Sequence, residues 1–346
     1  MPDPIHYTRL LPGMDLTSKQ VQRLFERLST PDSLRPMVFE TWGDEDGIVH
    51  LVGRSESVKP TLRTLIRSYL PEARALRATR PETPERIARL KLTPRGMPLR
   101  DDAATAQDLL HAIYSVLSGR RKGETIAIQV VLGRGRRPSS VPQRIVDPNA
   151  TVGQLLLRGS GAAPAEIRKR VAQHAEQARI DITVRVGVTA ASPERRRQIR
   201  GQFLSTFDQL EAPGAQLTLV SERTDKWERA VLAWGALPMT AAQLVGLIGW
   251  RVDELELPGV PPRHPRLLPP PSGIEQTLSV FARSTAPGIE RRIGMTPVAR
   301  LLHTAITGGT GSGKSEILAS LVLSDIAAGR PLVLVEPKRQ LVDAIV

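Results

Sequence analysis

One short segment near the end of the chain combines glycines with a lysine and a serine. Residues 308–315 read Gly-Gly-Thr-Gly-Ser-Gly-Lys-Ser, which fits the pattern G-x-x-x-x-G-K-[ST] in full. Glycines let the backbone curl so that several N–H groups point at phosphate oxygens. Lys314 can then reach the β- and γ-phosphates, and the Ser315 hydroxyl can ligate Mg²⁺. The segment predicts a site for a nucleoside triphosphate, ATP with magnesium, in which Lys314 is the catalytic group.

The predicted nucleotide-binding residues are the whole loop and the residue that follows it. They are Gly308, Gly309, Thr310, Gly311, Ser312, Gly313, Lys314, Ser315 and Glu316.

The flanks of this loop predict the elements that would position it. The apolar run 301–307 predicts a strand, and 314–328 predicts a helix that Gly329 ends. Ile317, Leu318, Leu321 and Val322 are expected to face inward from that helix. The apolar run 331–335 is typical of a buried parallel strand. Strand, glycine-rich loop, helix and strand together make a βαβ unit.

A carboxylate and a lysine follow the second predicted strand. Glu336 and Lys338 would lie where ligands of open α/β sheets gather, and could contact Mg²⁺-bound water or phosphate. They could equally be a surface pair at the end of a strand. The sequence predicts them as a second set of site residues and leaves both interpretations open.

The chain upstream of this site reads as mixed α+β structure. We predict an α+β module over 1–132, a basic Gly/Pro-rich loop or linker over 133–163, and a second α+β module over 164–256. Alternating helices and strands indicate one or two ferredoxin-like halves. Residues 257–273 hold seven prolines and predict an extended linker. We expect an incomplete P-loop ATPase domain over 274–346.

The charge and the composition of the chain limit which functions and partners are expected. The net charge is +13, so the chain attracts polyanions, with nucleic acid as the first candidate partner and an anionic membrane surface as the second. An arginine-rich proteome would explain the same charge without any function. Arginines 134, 136, 137 and 144 in the predicted loop, and arginines 195, 196, 197 and 200 at the start of a predicted helix, could bind an acidic partner or simply be solvated.

Several classes of protein are excluded or disfavoured. The absence of cysteine excludes disulfides, thiolate metal sites and cysteine nucleophiles. The six histidines show no metal-ligand spacing. The N-terminus is not a signal peptide, and no apolar run is long enough to span a bilayer. We expect no intrinsic membrane segment and a cytoplasmic location, with peripheral attachment at the inner face of the membrane through partners as the alternative.

The loop and its flanks resemble the FtsK–HerA superfamily of DNA pumps. The resemblance lies in Leu-Leu-His at 301–303, GGTGSGKS at 308–315, and Gly-Arg-Pro-Leu-Val-Leu-Val-Glu-Pro-Lys-Arg-Gln-Leu-Val at 329–342. Within the superfamily, the chain is most similar to conjugative DNA-transfer ATPases of type IV secretion systems, the TraG/TraD-like coupling ATPases. Residues 239–244, 250–251 and 257–259 resemble the segment before their motor domain, and 35–54 resembles their N-terminal module. Glu336 stands where the family usually has Asp, and Arg339 where it has Gly.

The resemblance implies a fold and an activity. It implies N-terminal ferredoxin-like modules followed by the start of a RecA-like domain, with ATP bound between subunits of a hexameric ring that moves DNA. Relaxase or secretion-system proteins would be partners. The Walker B acid, the sensor and the trans-acting arginine would all follow Val346, so a longer protein is expected and hydrolysis by this chain alone is uncertain. A secretion-assembly ATPase acting on protein substrates and a non-catalytic fragment are the alternatives.

Overall fold

The structure is a computed structural model of the 346-residue chain. It describes residues 5–12, 16–29, 37–44, 47–54, 59–71, 73–140, 163–253, 257–258, 273–284, 291–302, 304–307, 309, 311, 313–335 and 340–345. The chain divides into two compact units, Met1–Arg263 and His264–Val346. This boundary falls inside the proline-rich stretch 257–273 that the sequence predicts as a linker.

The first part of unit 1 has the element order βαββαβ. Its elements are β1 (His6–Leu11), α1 (Ser18–Leu28), β2 (Met37–Asp44), β3 (Gly47–Arg54), α2 (Lys59–Tyr69) and β4 (Arg74–Arg77). The strands pair in the order β4-β1-β3-β2, all antiparallel. This order is that of a ferredoxin-like unit.

The second part repeats the pattern and, among its described residues, adds one helix. Its elements are β5 (Arg86–Thr93), α3 (Ala103–Ser118), β6 (Thr125–Arg136), the added α4 (Ala165–Ala175), β7 (Arg179–Thr189), α5 (Pro193–Asp208) and β8 (Gln216–Glu222). The strand order is β6-β7-β5-β8. Three shorter elements follow, α6 (Asp225–Glu228), β9 (Leu237–Thr240), which pairs with β7, and α7 (Ala241–Ile248).

The two repeats share one antiparallel sheet. Strand β2 pairs with β6 over seven residue pairs, from Met37 opposite Leu132 to Gly43 opposite Ile126. The predicted modules 1–132 and 164–256 therefore contribute strands to the same sheet. The repeat boundary lies between β4 and β5, so β5, α3 and β6 belong with the elements that follow them.

The start of the predicted basic loop is a strand. Residues 133–136 belong to β6, where Gly135 is opposite Ile180 and Arg136 is opposite Arg179 after a register shift that begins at Leu132. Because this irregularity re-forms the pairing with β7, the strand continues past the glycines that predicted a loop. Arg134 and Arg136 are thus on a strand, while residues 141–162, including Arg144, lie outside the described residues.

One face of the sheet carries the main hydrophobic core. Helices α1, α3, α5 and α7 pack there against alternate side chains of the central strands. Phe25 of α1 meets Phe39 of β2 edge to face, with ring centroids 5.5 Å apart, and Phe39 meets Trp250 in the same way. A capping box between Thr17 and Gln20 starts α1.

The other face carries a row of polar residues. Ladder pairing places Glu40 opposite Gln129, Gln129 opposite Arg185, and Arg185 opposite Arg89. The segment that contains α6 covers this row, because the carbonyl of Trp227 accepts a 3.0 Å hydrogen bond from Gln129 Nε2. The first face is thus closed largely by apolar packing, and the second by these hydrogen bonds together with two small apolar clusters, which include Trp42, Trp227 and Val38.

Unit 2 contains an antiparallel strand pair and three helices among the described residues. Strands β10 (Glu275–Arg283) and β11 (Arg292–Gly294) pair. The helices are α8 (Pro297–Arg300), α9 (Lys314–Ala327) and α10 (Gln340–Ile345). Across the described part of the chain, no helix has both the length and the apolar character needed to cross a membrane.

Candidate nucleotide-binding site

The structure describes six of the nine predicted nucleotide-binding residues. Gly309, Gly311, Gly313, Lys314, Ser315 and Glu316 are described, whereas Gly308, Thr310 and Ser312 lie outside the described residues. Glu336 and Lys338 also lie outside them, so their predicted role near the phosphates stays a prediction.

Two loop glycines adopt a conformation that other residues rarely take. Gly311 has φ +77° and Gly313 has φ +83°, both in the left-handed region. A Cβ added at either position would meet nothing within 4 Å, so the need for glycine comes from the backbone angle and not from crowding. This backbone curl turns the loop into the start of α9.

The first residues of α9 carry backbone N–H groups that the helix itself does not pair. The first intrahelical bond runs from Ile317 N to Gly313 O, at 3.1 Å, and no side chain caps the helix at Gly313. The N–H groups of Lys314, Ser315 and Glu316 are therefore among those that a helix cannot satisfy internally. Such groups favour an anion because they add to the positive end of the helix dipole.

The lysine side chain folds back over the loop. Lys314 Nζ donates a 2.6 Å hydrogen bond to the carbonyl oxygen of Gly309. The ammonium group of the first residue of α9 therefore lies against the backbone of the loop that precedes the helix. Ser315 and Glu316 are exposed at the same helix start. The described residues thus bring a cation and a helix start together, and both are groups that favour an anion.

An ion cluster anchors the far end of α9. Asp325 accepts hydrogen bonds from the guanidinium group of Arg300 and a 3.1 Å bond from Arg330 Nη1. The hydrogen bonds from Arg300 hold the pKa of Asp325 below its usual value. Arg330 Nη1 also lies 3.3 Å from Ser279 Oγ on β10. This cluster was not predicted from the sequence, although Asp325 and Arg330 stand at the end of a clear helical pattern.

Two strands predicted beside the loop are absent from the described residues. The segments 301–302, 304–307 and 331–335 have no strand structure, so the prediction of a βαβ unit is wrong for the part of the chain described. A buried parallel strand needs neighbours on its edges and faces. These segments instead expose their side chains, with Leu301 at 85%, Val333 at 91% and Val335 at 85%.

The helix between them is confirmed, but its predicted inward face is only partly buried. Helix α9 spans Lys314–Ala327, and Gly329 follows it with φ +65°, as a helix-ending glycine should. Of the four residues expected to face inward, Leu321 is 7% exposed and Leu318 is 41% exposed. The local signal specified the helix, while burial depends on what packs against it.

No protein-family model matches the chain, and no curated protein matches it.

Proposed function

We propose that this chain is the ATP-binding part of a DNA translocase for conjugative DNA transfer or type IV secretion. The observation that carries the proposal is the pair of left-handed glycines, Gly311 and Gly313, ahead of Lys314. Two left-handed glycines lead directly into α9, and the Lys314 ammonium group lies against the carbonyl of Gly309. A glycine-rich turn with a lysine at a helix start suits phosphate binding.

Each described residue has a proposed role. The N–H groups at the start of α9 hold phosphate oxygens, and Lys314 moves from the Gly309 carbonyl to the β- and γ-phosphates. Mg²⁺, when bound with ATP, would neutralise charge between these phosphates, and Ser315 would be its protein ligand. Lys314 and Ser315 are adjacent on the first turn of the helix, so one element positions both.

The DNA part of the proposal rests on charge and on the resemblance of residues 301–342 to DNA pumps. A net charge of +13 favours a polyanionic substrate. A hexameric ring, relaxase or secretion partners and a cytoplasmic site of action, with attachment to the membrane through partners, belong to the same proposal. A RecA-like domain beginning in unit 2 is likewise proposed.

Nucleotide binding is tested with a fluorescent ATP analogue titrated into the 346-residue chain. Lys314→Ala should weaken binding by at least about tenfold, since it removes a charge-assisted contact to phosphate. Lys169→Ala removes an exposed lysine from α4 and should bind as the parent does. Equal affinity in all three proteins would contradict the proposal.

The role of magnesium is tested at the neighbouring position. Ser315→Ala should reduce the gain in ATP affinity that added Mg²⁺ produces, because it removes the hydroxyl ligand. Ser320→Ala, at an exposed serine on the same helix, is the matched control. A Mg²⁺ dependence unchanged by Ser315→Ala would remove Ser315 from the metal site.

The substrate is tested by ATP turnover of the intact gene product. DNA should stimulate hydrolysis, and Lys314→Ala should abolish it. Hydrolysis that ignores DNA but responds to a secreted protein substrate would favour the assembly ATPase instead.

A further inference from the structure

A basic groove opens in unit 1 where α5 begins. Its cavity volume is about 410 Å³. Four arginines line it, Arg86 on β5 and Arg196, Arg197 and Arg200 on α5. The sequence alone left the α5 arginines either solvated or facing an acidic partner. The structure brings Arg86 to the same cavity, from a strand more than a hundred residues earlier in the chain.

Two of these guanidinium groups are held in place by the protein. Arg200 Nη1 donates to Ser221 Oγ at 3.1 Å, and Arg200 also donates to the carbonyl of Leu219. Arg196 Nη1 donates to Ala190 O at 2.6 Å and to Glu85 Oε2 at 3.1 Å. A guanidinium group has five N–H donors, so each keeps donors for a ligand. Pre-positioned cations bind an anion with less loss of side-chain freedom.

The other two arginines are the exposed ones. Among the described residues, no carboxylate pairs with Arg86, whose side chain reaches solvent. Arg197 Nη2 lies 2.9 Å from Glu194 Oε1, but both side chains are more than 70% exposed, at 76% and 72%. Exposed pairs of this kind are weak and exchange readily with other ions.

The carboxylates that line the groove do not neutralise its arginines. Of the described residues that line it, Glu222 is the sole carboxylate. Its two oxygens already accept 2.7 Å hydrogen bonds from Arg89 and from Arg185, whose side chain is 1% exposed. Glu222 therefore compensates the buried Arg185 and the partly buried Arg89, and the four groove arginines keep a net positive charge.

The floor of the groove is apolar, so it suits a ligand that carries an apolar part as well as an anionic group. Ala88, Val186, Val188 and Pro193 line it with apolar side chains. The volume falls in the range of sites for small organic ligands or a short segment of a chain. Arginine suits phosphate because its planar fork matches the oxygen geometry. A ligand with phosphates and a less polar sugar-base part fits this combination.

We propose that this groove binds the phosphates of single-stranded DNA. The choice of DNA rests on the proposed function, and the groove itself favours a single strand. A duplex displays two separate rows of phosphate across grooves about 6 and 12 Å wide, whereas these four arginines converge on one cavity. The two fixed arginines position the strand, and Arg86 and Arg197 exchange solvent or Glu194 for phosphate.

The test measures binding of a fluorescein-labelled oligodeoxythymidylate by anisotropy at several salt concentrations. The parent is the full chain carrying Lys314→Ala, so that the P-loop does not contribute. Arg86→Ala with Arg197→Ala should weaken binding about tenfold. It should also lower the slope of log K against log salt by about 1.4, because each neutralised phosphate of a single strand adds about 0.7 to that slope. Both sites are exposed, so the thermal midpoint should not change.

Two controls separate the groove from general charge. Arg168→Ala with Lys169→Ala removes two exposed charges from α4 and should leave the slope unchanged. Arg86→Lys with Arg197→Lys keeps the charges and should restore most of the slope. If the α4 control loses as much affinity as the groove variant, the effect is non-specific and the proposal is wrong.

Competitors identify the ligand. Unlabelled oligodeoxythymidylate should displace the probe, while a mononucleotide or polyglutamate at equal phosphate or carboxylate concentration should not. Displacement by the mononucleotide or by polyglutamate overturns the assignment to a DNA strand. If the parent binds DNA and the groove variant binds it equally well, only this inference fails. If the parent does not bind DNA at all, the DNA part of the proposed function fails too, while ATP binding through Lys314 still stands.

Discussion

At the scale of single residues, the most demanding site in unit 1 is the buried carboxylate of Glu40. Its side chain is 0% exposed, and Arg80 Nη2 lies 2.7 Å from it. Trp42 Nε1 and Gln129 Nε2 each donate to it at 2.9 Å, and the hydroxyl of Tyr7 donates at 3.2 Å. Burial, and then the charge of Glu40, raise the pKa of Tyr7. These donors offset the cost of removing the carboxylate from water.

Removing the cation should therefore be costly. Arg80→Met is expected to lower the free energy of unfolding by about 3–5 kcal/mol, because it leaves a buried charge without its ion partner. Arg223→Met is the matched control, since Arg223 pairs with Asp225 but is 85% exposed. We expect the control to change stability by less than about 1 kcal/mol. Urea unfolding measures both, and equal effects would show that the Glu40 network contributes no special stability.

A buried histidine makes unit 1 sensitive to acid. His50 Nδ1 lies 3.1 Å from Thr41 Oγ1, and Nε2 lies 3.2 Å from the Tyr114 hydroxyl. Burial, and then the charge of Arg9, lower the pKa of His50 to about 4. The folded state therefore resists the proton that the unfolded chain accepts near its ordinary value of 6.5.

The stability of unit 1 should fall as the pH is lowered. The stabilisation from neutral His50 is complete above about pH 6.5 and is lost as the pH falls towards 4, by up to about 3 kcal/mol. His174, whose pKa burial also lowers to about 4, acts in the same direction. Unfolding in urea between pH 7.5 and 4.5 should thus show a smaller slope of stability against pH in His50→Gln than in the parent. An unchanged slope would exclude His50 as a source.

At the scale of elements, the helices are governed by short-range signals. Thr240 and Gln243 form a capping box at the start of α7, and Ser192 caps α5 ahead of Pro193. Packing between helices limits which residues fit at a contact, and the capping residues carry no information about that limit. Gly246 of α7 lies where a Cβ would stand 2.7 Å from the carbonyl oxygen of Ala106 in α3.

Two glycine-to-alanine substitutions should have opposite signs. Gly201→Ala, at a helical position of α5 with nothing within 4 Å of the added Cβ, should stabilise by about 0.5–1 kcal/mol through helix propensity. Gly246→Ala should destabilise by about 1–3 kcal/mol, since the clash is with backbone and outweighs propensity. Thermal denaturation distinguishes them. Stabilisation by both would mean that α3 and α7 can separate at little cost.

At the scale of the whole molecule, unit 1 should behave as one cooperative body. The pairing of β2 with β6 joins the two repeats, and the core beneath them is continuous. All four tryptophans of the chain, at 42, 227, 234 and 250, lie in unit 1, so their fluorescence reports on this unit alone. Trp42 and Trp227 meet edge to face at 5.7 Å across the polar row.

The cooperativity of unfolding in unit 1 can be measured. Urea unfolding followed by tryptophan fluorescence should show a single transition, and Arg80→Met in the first repeat and Gly246→Ala beside the second should both lower the midpoint of that same transition. Separate transitions, one sensitive to each substitution, would show that the repeats unfold independently despite the shared sheet.

Features that depend on residues close together in the sequence could be predicted, and features that depend on distant residues could not. The α+β class, the helices α3 and α9 and the hairpin of β2 and β3 are visible in the sequence, because periodicity and turn residues lie within a few positions of one another. The register shift that extends β6 to Arg136 was not visible, since it depends on pairing with β7. The prediction of strands at 301–307 and 331–335 was wrong for the same reason. An apolar run becomes a strand only when a neighbouring strand pairs with it.

The sequence by itself determined the start of α9 at Lys314 and the left-handed glycines, Gly311 and Gly313, before it, because a helix start and glycine angles are local properties of the chain. Only the tertiary structure decided that Glu40 meets Gln129, 89 residues away, within one sheet made of two repeats. It also decided that Arg86 joins the arginines of α5 around one groove. Such contacts form when strands that are distant in the sequence pair in a particular register. That pairing depends on which side chains are buried across the whole sheet.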